Sequence, residues 1–230
     1  MKIKEVKYIL TDIEGTTTSV SFVYDILFPY FRKHIWKLTQ LMQEKEVSDA
    51  FEQVIDEVYE VDGILMLSND EIIEKLLEWS EQDKKKTALK TLQGILWREA
   101  YSQGIIKGHV YDDVPHSLQR WKNEGIKLGV FSSGSVEAQK LIFGHSDFGD
   151  LSKYFSDYFD TQTGGKREST TYSIISALLE IPSENILFLS DVIQELDAAR
   201  IAGFQTLQIV RLGTKAEWEN TAESFDEIVF

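Results

Sequence analysis

Tyr8-Ile9-Leu10 is a short apolar run that stops at Thr11-Asp12-Ile13-Glu14-Gly15-Thr16-Thr17, where two acids, a glycine and hydroxyls take over. A run of this length closed by turn residues predicts a buried strand of a parallel sheet. From about Phe22 to Ile106 the periodicity becomes helical. Val47, Phe51, Val54, Ile55 and Val58 share one helical face, and Leu89, Leu92 and Leu96 share another. Asp62-Gly63 and Ser68-Asn69-Asp70 punctuate this block, the second as a helix N-cap. From Tyr111 onward helix and strand alternate. Val114, Leu118 and Trp121 predict a helix stopped at Asn123-Glu124-Gly125, followed by a strand over 126–131 and a short strand at Tyr158-Phe159. A helix face carrying Tyr172, Ile175, Leu178 and Leu179 comes next, then strands over 186–189 and 207–210. Such alternation builds parallel βαβ units with right-handed crossovers, and the first strand must join them to find partners. The predicted fold class is α/β, a doubly wound parallel sheet with an inserted all-helical domain. Residues 1–20 and 109–230 form the predicted core and 21–108 the insertion.

Composition narrows the partners. The chain has 230 residues, enough for one good core and a smaller second one at roughly 100 to 200 residues per domain. Its net charge of −14, from 24 basic and 38 acidic residues, argues against nucleic acid or an anionic membrane surface. Lys84-Lys85-Lys86 is the single basic run and reads as a solvated turn or helix end. A phosphate bound to so acidic a chain needs a local offset, such as a lysine, a helix N-terminus or a divalent cation. No stretch approaches the ~18 apolar residues of a membrane span. The segment Met1-Lys2-Ile3-Lys4-Glu5 lacks the apolar region and cleavage site of a secretory signal, so a cytoplasmic protein is expected, with a monomer as the expected assembly. The absence of cysteine excludes disulfides, thiolate catalysis and cysteine metal sites, and suits a reducing compartment.

The polar residues at the strand ends carry the candidate chemistry. Asp12 and Glu14 follow the first strand, Ser132-Ser133-Gly134 the second, Asp160 leads towards Lys166 after the third, and Asp191 follows 186–190. Singly, each has an ordinary reading. Asp12, Ser132, Ser133 and Asp191 suit helix caps, and Lys166 suits a solvated loop. Together they differ, because a parallel sheet puts all four ends on the edge where ligands of open α/β sheets bind. Independent caps would have to imitate a nucleophile, a hydroxyl donor, a cation and a metal-binding acid in order. Those parts suit phosphoryl transfer. A carboxylate at position 12 can attack phosphorus and split one hydrolysis into two easier steps. Ser132, Ser133, backbone N–H groups and Lys166 can hold phosphate oxygens. Mg²⁺ prefers a few hard oxygens and keeps several waters, so Asp12, Asp191 and one backbone carbonyl would suffice.

Asp12-Ile13-Glu14-Gly15-Thr16 with the later Ser132, Lys166 and Asp191 resembles the haloacid dehalogenase superfamily of phosphohydrolases, whose first motif is Asp-x-Asp-Gly-Thr. The resemblance spans the chain. It implies a Rossmann-like core with Asp12 as nucleophile, Ser132 and Lys166 on the phosphoryl group, and one Mg²⁺ held by Asp12, the carbonyl of Glu14 and Asp191. Glu195 matches the second acid of the fourth motif, with a supporting role at the metal. The helical insertion corresponds to the family's cap, which closes over substrate and excludes water. Position 14 departs from the common pattern, being Glu where most superfamily phosphatases have Asp. In the superfamily this residue is the general acid and base, a role worth roughly 10² to 10⁴ in rate.

The strings from Asp12 to Val23, Leu27-Phe28-Pro29-Tyr30 and from Phe131 to Leu141 closely resemble the enolase-phosphatase family of methionine salvage. Gly144-His145-Ser146, Gly164-Gly165-Lys166, and Leu189 to Val192 with Glu195 to Ala199 extend the likeness. It implies an enzyme that enolises 2,3-diketo-5-methylthiopentyl 1-phosphate and then removes phosphate, leaving 1,2-dihydroxy-3-keto-5-methylthiopentene. Glu14 is a candidate for removing the C1 proton, and Phe22 or Tyr24 could enclose the methylthio tail or simply pack the insertion. The alternatives are a phosphatase for another small ester, a signalling receiver domain, a P-loop nucleotidase and a dehalogenase. The insertion and the Asp12/Glu14 pair disfavour the receiver, Asp160 and Arg167 stand where a P-loop needs Gly and Ser or Thr, and Asp191 with Glu14 disfavours the dehalogenase. His34, His109, His116 and His145 lack ligand spacing, so no zinc or iron site is expected.

Overall fold

The computed structural model describes residues 5–63 and 66–230. The chain divides into two compact units, residues up to Val20 with Lys107–Phe230, and Ser21–Ile106. Gly108 N donates to His145 O at 2.8 Å inside the first unit. Residues 107 and 108, inside the predicted bounds of the insertion, belong with the α/β unit.

The chain enters through strand β1 (Tyr8–Thr11), all four residues of which are buried. Among its described residues the second unit holds helices and no strand. It begins with a wide π-helical turn, Phe22–Leu27, which buries Phe22, Val23 and Leu27. Helices α1 (Phe28–His34), α2 (Lys45–Asp62), α3 (Asn69–Glu81) and α4 (Thr87–Ser102) follow. Helix α2 buries Val47, Phe51, Val54 and Val58 and stops at Gly63, whose φ of +71° suits a residue without a side chain. Helix α3 starts at the predicted Ser68 with a capping box. Ser68 Oγ accepts from Glu71 N at 3.3 Å, and Ser68 N donates back to Glu71 Oε2 at 2.7 Å. Helix α4 buries Leu89, Leu92 and Leu96, and its Trp97 Nε1 donates to Leu27 O at 3.0 Å, tying it to the entry turn.

The first unit continues with α5 (Val114–Asn123), β2 (Lys127–Phe131), α6 (Val136–Gly144), β3 (Asp157–Phe159), α7 (Ser169–Leu179), β4 (Ile186–Ser190), α8 (Ile193–Ile201), β5 (Gln205–Ile209) and β6 (Thr221–Ala222). The six strands lie in the order β3-β2-β1-β4-β5-β6, every neighbouring pair parallel. Tyr8 stands opposite Lys127 and Ile186, and Thr11 opposite Val130 and Leu189. This register brings the carboxyl ends of β1, β2 and β4 to the same level. Side chains alternate between faces, so Tyr8, Leu10, Phe131 and Phe188 join Tyr172, Ile175, Leu196 and Phe204 in one apolar cluster. Leu178 departs from the predicted α7 face. It is 64% exposed, because the buried line runs Tyr172, Ile175, Leu179 at helical spacing. Strand β6 was not anticipated, since two residues form no readable apolar run. No described helix is long and apolar enough to cross a membrane.

Phe188 belongs to this cluster and is fully buried. Phe188→Ala is expected to cost about 3 to 5 kcal/mol, read as a lower urea midpoint at unchanged slope.

Candidate active site

The first turn after β1 presents two acids from one compact loop. Asp12 N continues the sheet ladder to Leu189 O at 2.9 Å, and its carboxylate is fixed by Ile13 N, which donates to Oδ1 at 2.7 Å. Thr16 N, Thr17 N and Thr18 N all donate to Ile13 O, at 3.1, 2.9 and 2.9 Å, and Gly15 N donates to Thr18 O at 2.7 Å. The chain folds back only because Gly15 adopts φ +75°. A Cβ there would also stand 2.4 Å from an Asp191 carboxylate oxygen. Gly15 thus serves both the turn and the close approach of Asp191.

Around this loop the other strand ends converge. Ser132 is fully buried, and its Oγ donates to Glu14 Oε2 at 3.2 Å while accepting from Gly134 N at 3.0 Å. The cap of α6 is Ser135, whose Oγ accepts from Ala138 N at 3.3 Å, so the Ser132 hydroxyl is left for the site. Ser133 is half-buried on the same loop, and among the described residues no hydrogen bond joins its hydroxyl to the acids. Asp160, after β3, accepts from Val136 N and Gln162 N and acts as a local brace. Lys166 is 8% exposed, which removes the solvated-loop reading. Its Nζ lies 2.6 Å from Asp12 Oδ1 and 2.7 Å from Glu195 Oε2. The loop that carries it turns at Gly164, φ +147°, where a Cβ would meet Thr171 Oγ1 at 2.3 Å.

Asp191 and Glu195 take different places. Helix α8 begins at Val192 without a side-chain cap, and Val192 N donates instead to Ser190 Oγ at 3.1 Å, so Asp191 is not spent on capping. Asp191 Oδ1 is buried without a hydrogen-bond partner. Glu195 sits on Lys166, not on Asp191, and Ser190 Oγ stands 3.0 Å from Glu195 Oε2 and 3.4 Å from Asp12 Oδ2.

Four carboxylates here face one ammonium. Burial, reinforced by the negative Asp12, pushes the Glu14 carboxyl above its ordinary value and pushes Asp191 and Glu195 each up to about 7. Burial opposes the charge on Lys166, but the Asp12 and Glu195 carboxylates outweigh it and hold the ammonium charged. A partnerless buried carboxylate oxygen beside excess negative charge is a place for a cation, and the hard oxygens present suit Mg²⁺. Among the described residues no three His, Cys, Asp or Glu side chains gather closely enough to hold an ion by themselves. Any cation would share Asp12 and Asp191 with backbone, water or substrate oxygens.

Residues missed in the sequence reading complete the setting. Ser190 bridges two acids, and Tyr172, read as plain core, donates its hydroxyl to Lys166 O at 2.7 Å. Gln139 Nε2 donates to Gly134 O at 3.0 Å and Phe159 O at 2.8 Å, which holds the loop bearing Ser132 against the end of β3. A helix-face hydroxyl or amide carries no sequence signal for such a duty.

Residues 6–203 match the family model of haloacid dehalogenase-like hydrolases. The chain is 49% identical over 211 residues to the enolase-phosphatase E1 of Picosynechococcus sp., covering 92% of each chain. It is 48% identical over 225 residues to the enolase-phosphatase E1 of Pseudomonas aeruginosa strain LESB58, covering 97% of this chain and 98% of that one. The crystal structure of the UTR4 protein of Saccharomyces cerevisiae superposes with a TM-score of 0.82 at 32% identity, covering 97% of this chain and all of the other.

The crowded acids make a testable stability pattern. A group whose folded pKa is raised contributes most below its unfolded value and loses that contribution as pH rises through the folded value. For Asp191 that window runs from about 4 to about 7. The thermal midpoint of chelator-treated protein is expected to fall across it. Asp191→Asn should flatten the fall and raise the midpoint at pH 8, and a lower midpoint than wild type there would contradict the assignment.

Proposed function

The chain belongs to the haloacid dehalogenase-like hydrolases and, within them, to the enolase-phosphatase E1 family, and on that premise we propose that it converts 2,3-diketo-5-methylthiopentyl 1-phosphate to 1,2-dihydroxy-3-keto-5-methylthiopentene and phosphate. The observation that carries the residue roles is the Asp12 carboxylate at a strand end, 2.6 Å from the Lys166 ammonium, with Glu14 two residues on and bonded to Ser132.

In the enolisation a C1 proton is lost to a base and the C2 carbonyl oxygen takes up a proton from solvent to become a hydroxyl, so a base must act at C1. Glu14 is assigned that proton, its carboxyl lying in the same turn as the nucleophile. In the second half-reaction Asp12 attacks phosphorus, the bond from phosphorus to the C1 oxygen breaks, and Glu14 gives a proton to the departing oxygen. Glu14 then takes a proton from water as that water attacks the aspartyl-phosphate, which releases phosphate and frees Asp12, and Glu14 passes the proton to solvent to regain its carboxylate. Lys166 and the Ser132 and Ser133 hydroxyls hold the phosphoryl oxygens throughout. Glu195 and Ser190 keep Lys166 beside Asp12. Asp12, Asp191 and the Glu14 carbonyl would hold one Mg²⁺, which when bound neutralises phosphoryl charge and polarises the substrate carbonyl. The helical insertion is assigned the role of cap, excluding bulk water during turnover. A cysteine-free chain suits a reducing, cytoplasmic compartment, and the partner proposed for it is its small phosphorylated substrate.

With Mg²⁺, the purified protein should release phosphate from the diketo phosphate in step with a new enediol absorbance. Phosphate without the absorbance would leave a plain phosphatase. Asp12→Asn should abolish phosphate release while the protein still folds, read from its far-UV circular dichroism, and full activity in that variant would exclude the covalent route. Glu14→Gln should slow release by roughly 10² to 10⁴-fold, measured as initial rates at saturating substrate.

A further inference from the structure

Arg211 follows β5 and has no part in the reaction described above, yet it is only 9% exposed and grips the turn that carries both catalytic acids. Its Nε donates to Thr16 O at 3.0 Å, and Nη1 donates to Asp113 Oδ1 at 3.0 Å and Glu223 O at 3.2 Å. Nη2 stands 2.9 Å from Asp113 Oδ2, off the direction of a hydrogen bond. Asp113 is itself fixed, accepting from Phe225 N at 2.6 Å and Ser224 Oγ at 3.2 Å. The Arg211 guanidinium carbon lies 4.2 Å from the centre of the Tyr111 ring, and Tyr111 N donates to Thr17 O at 3.0 Å.

These contacts complement the turn's own bonds. Three N–H groups of the turn are spent inward on Ile13 O, which leaves the Thr16 and Thr17 carbonyls pointing away from it. Arg211 and Tyr111 N take these two carbonyls. The guanidinium is a rigid planar fork, so orienting one side on Asp113 also fixes the direction in which Nε–H meets Thr16 O. A lysine could pair with Asp113 but has no second donor at a fixed angle. We infer that Arg211 is a positioning residue, a clamp on the Thr16 carbonyl that sets Asp12 and Glu14 against the phosphoryl group. This rests on the proposed roles of Asp12 and Glu14. The competing account is that the buried pair only fastens 223–225 to α5.

Arg211→Lys separates the two, because it keeps a cation opposite Asp113 and removes the Nε donor. A misplacement near 1 Å costs on the order of 10²-fold in rate. The variant should therefore lose about 10 to 100-fold in kcat for phosphate release from the diketo phosphate, with KM within about 3-fold. Amide hydrogen exchange should rise in the peptide covering 13–18 and stay at the wild-type level in β4. Arg211→Met combined with Asp113→Leu removes both charges and the clamp together, leaves no unpaired buried ion, and should give the same local pattern. Wild-type kcat per folded molecule, or unchanged exchange over 13–18 in both variants, overturns the inference. Should the wild-type protein release no phosphate from this substrate, the proposed function fails, and the exchange comparison alone decides the clamp.

Discussion

Everything at the sheet edge depends on the Lys166 ammonium lying between Asp12 and Glu195, 2.6 Å from one and 2.7 Å from the other. Four carboxylates, Asp12 and Glu195 buried and Glu14 and Asp191 partly so, would repel one another strongly without it. Placing ions out of water is costly, and attraction offsets that cost only where geometry is close and remaining lone pairs are bonded. Here Ile13 N, Ser190 Oγ and Ser132 Oγ supply those bonds. Even so, Glu14, Asp191 and Glu195 stay raised by burial, which marks a site short of positive charge. Such a site would suit a cation, in keeping with the role proposed for it.

The backbone accepts unusual demands to hold this arrangement. Gly15 and Gly164 both adopt positive φ where a side chain would collide with Asp191 or Thr171. Gly15 lets Asp191 approach the turn that carries Asp12 and Glu14, and Gly164 turns the loop that brings Lys166 to Asp12. The stability given up at the edge is supplied below it by the sheet, where Tyr8, Phe131, Tyr172, Phe188 and Phe204 pack as one cluster. Tyr172 belongs to both layers. Its ring is core and its hydroxyl holds the Lys166 carbonyl, so apolar packing reaches the chemistry through one residue.

Local signals carried much of this into the sequence. The β1 run, the helical stripes of α2 and α4, the Ser68 cap and the alternation after Tyr111 are all short-range patterns, and the structure follows them. What short-range pattern could not decide was whether Asp12, Ser132, Lys166 and Asp191 were caps and loop residues or a site. That depended on strand order and register. Ser135 and Val192 turn out to start the helices, and Lys166 proves buried. Glu195, given a supporting role at the metal by resemblance alone, has its carboxylate on Lys166 and Ser190. Arg211, Ser190, Gln139 and the two-residue β6 gave no signal. Each acts through partners distant in sequence or too short to form a pattern.

The proposed role of Asp12 as nucleophile is tested by an acid quench during the first turnover, followed by mass spectrometry of the peptide containing Asp12. A phosphoryl group on that residue is expected, formed before free phosphate appears and absent from Asp12→Asn. Free phosphate appearing at the full rate with no phosphorylated Asp12 peptide at any time would contradict it.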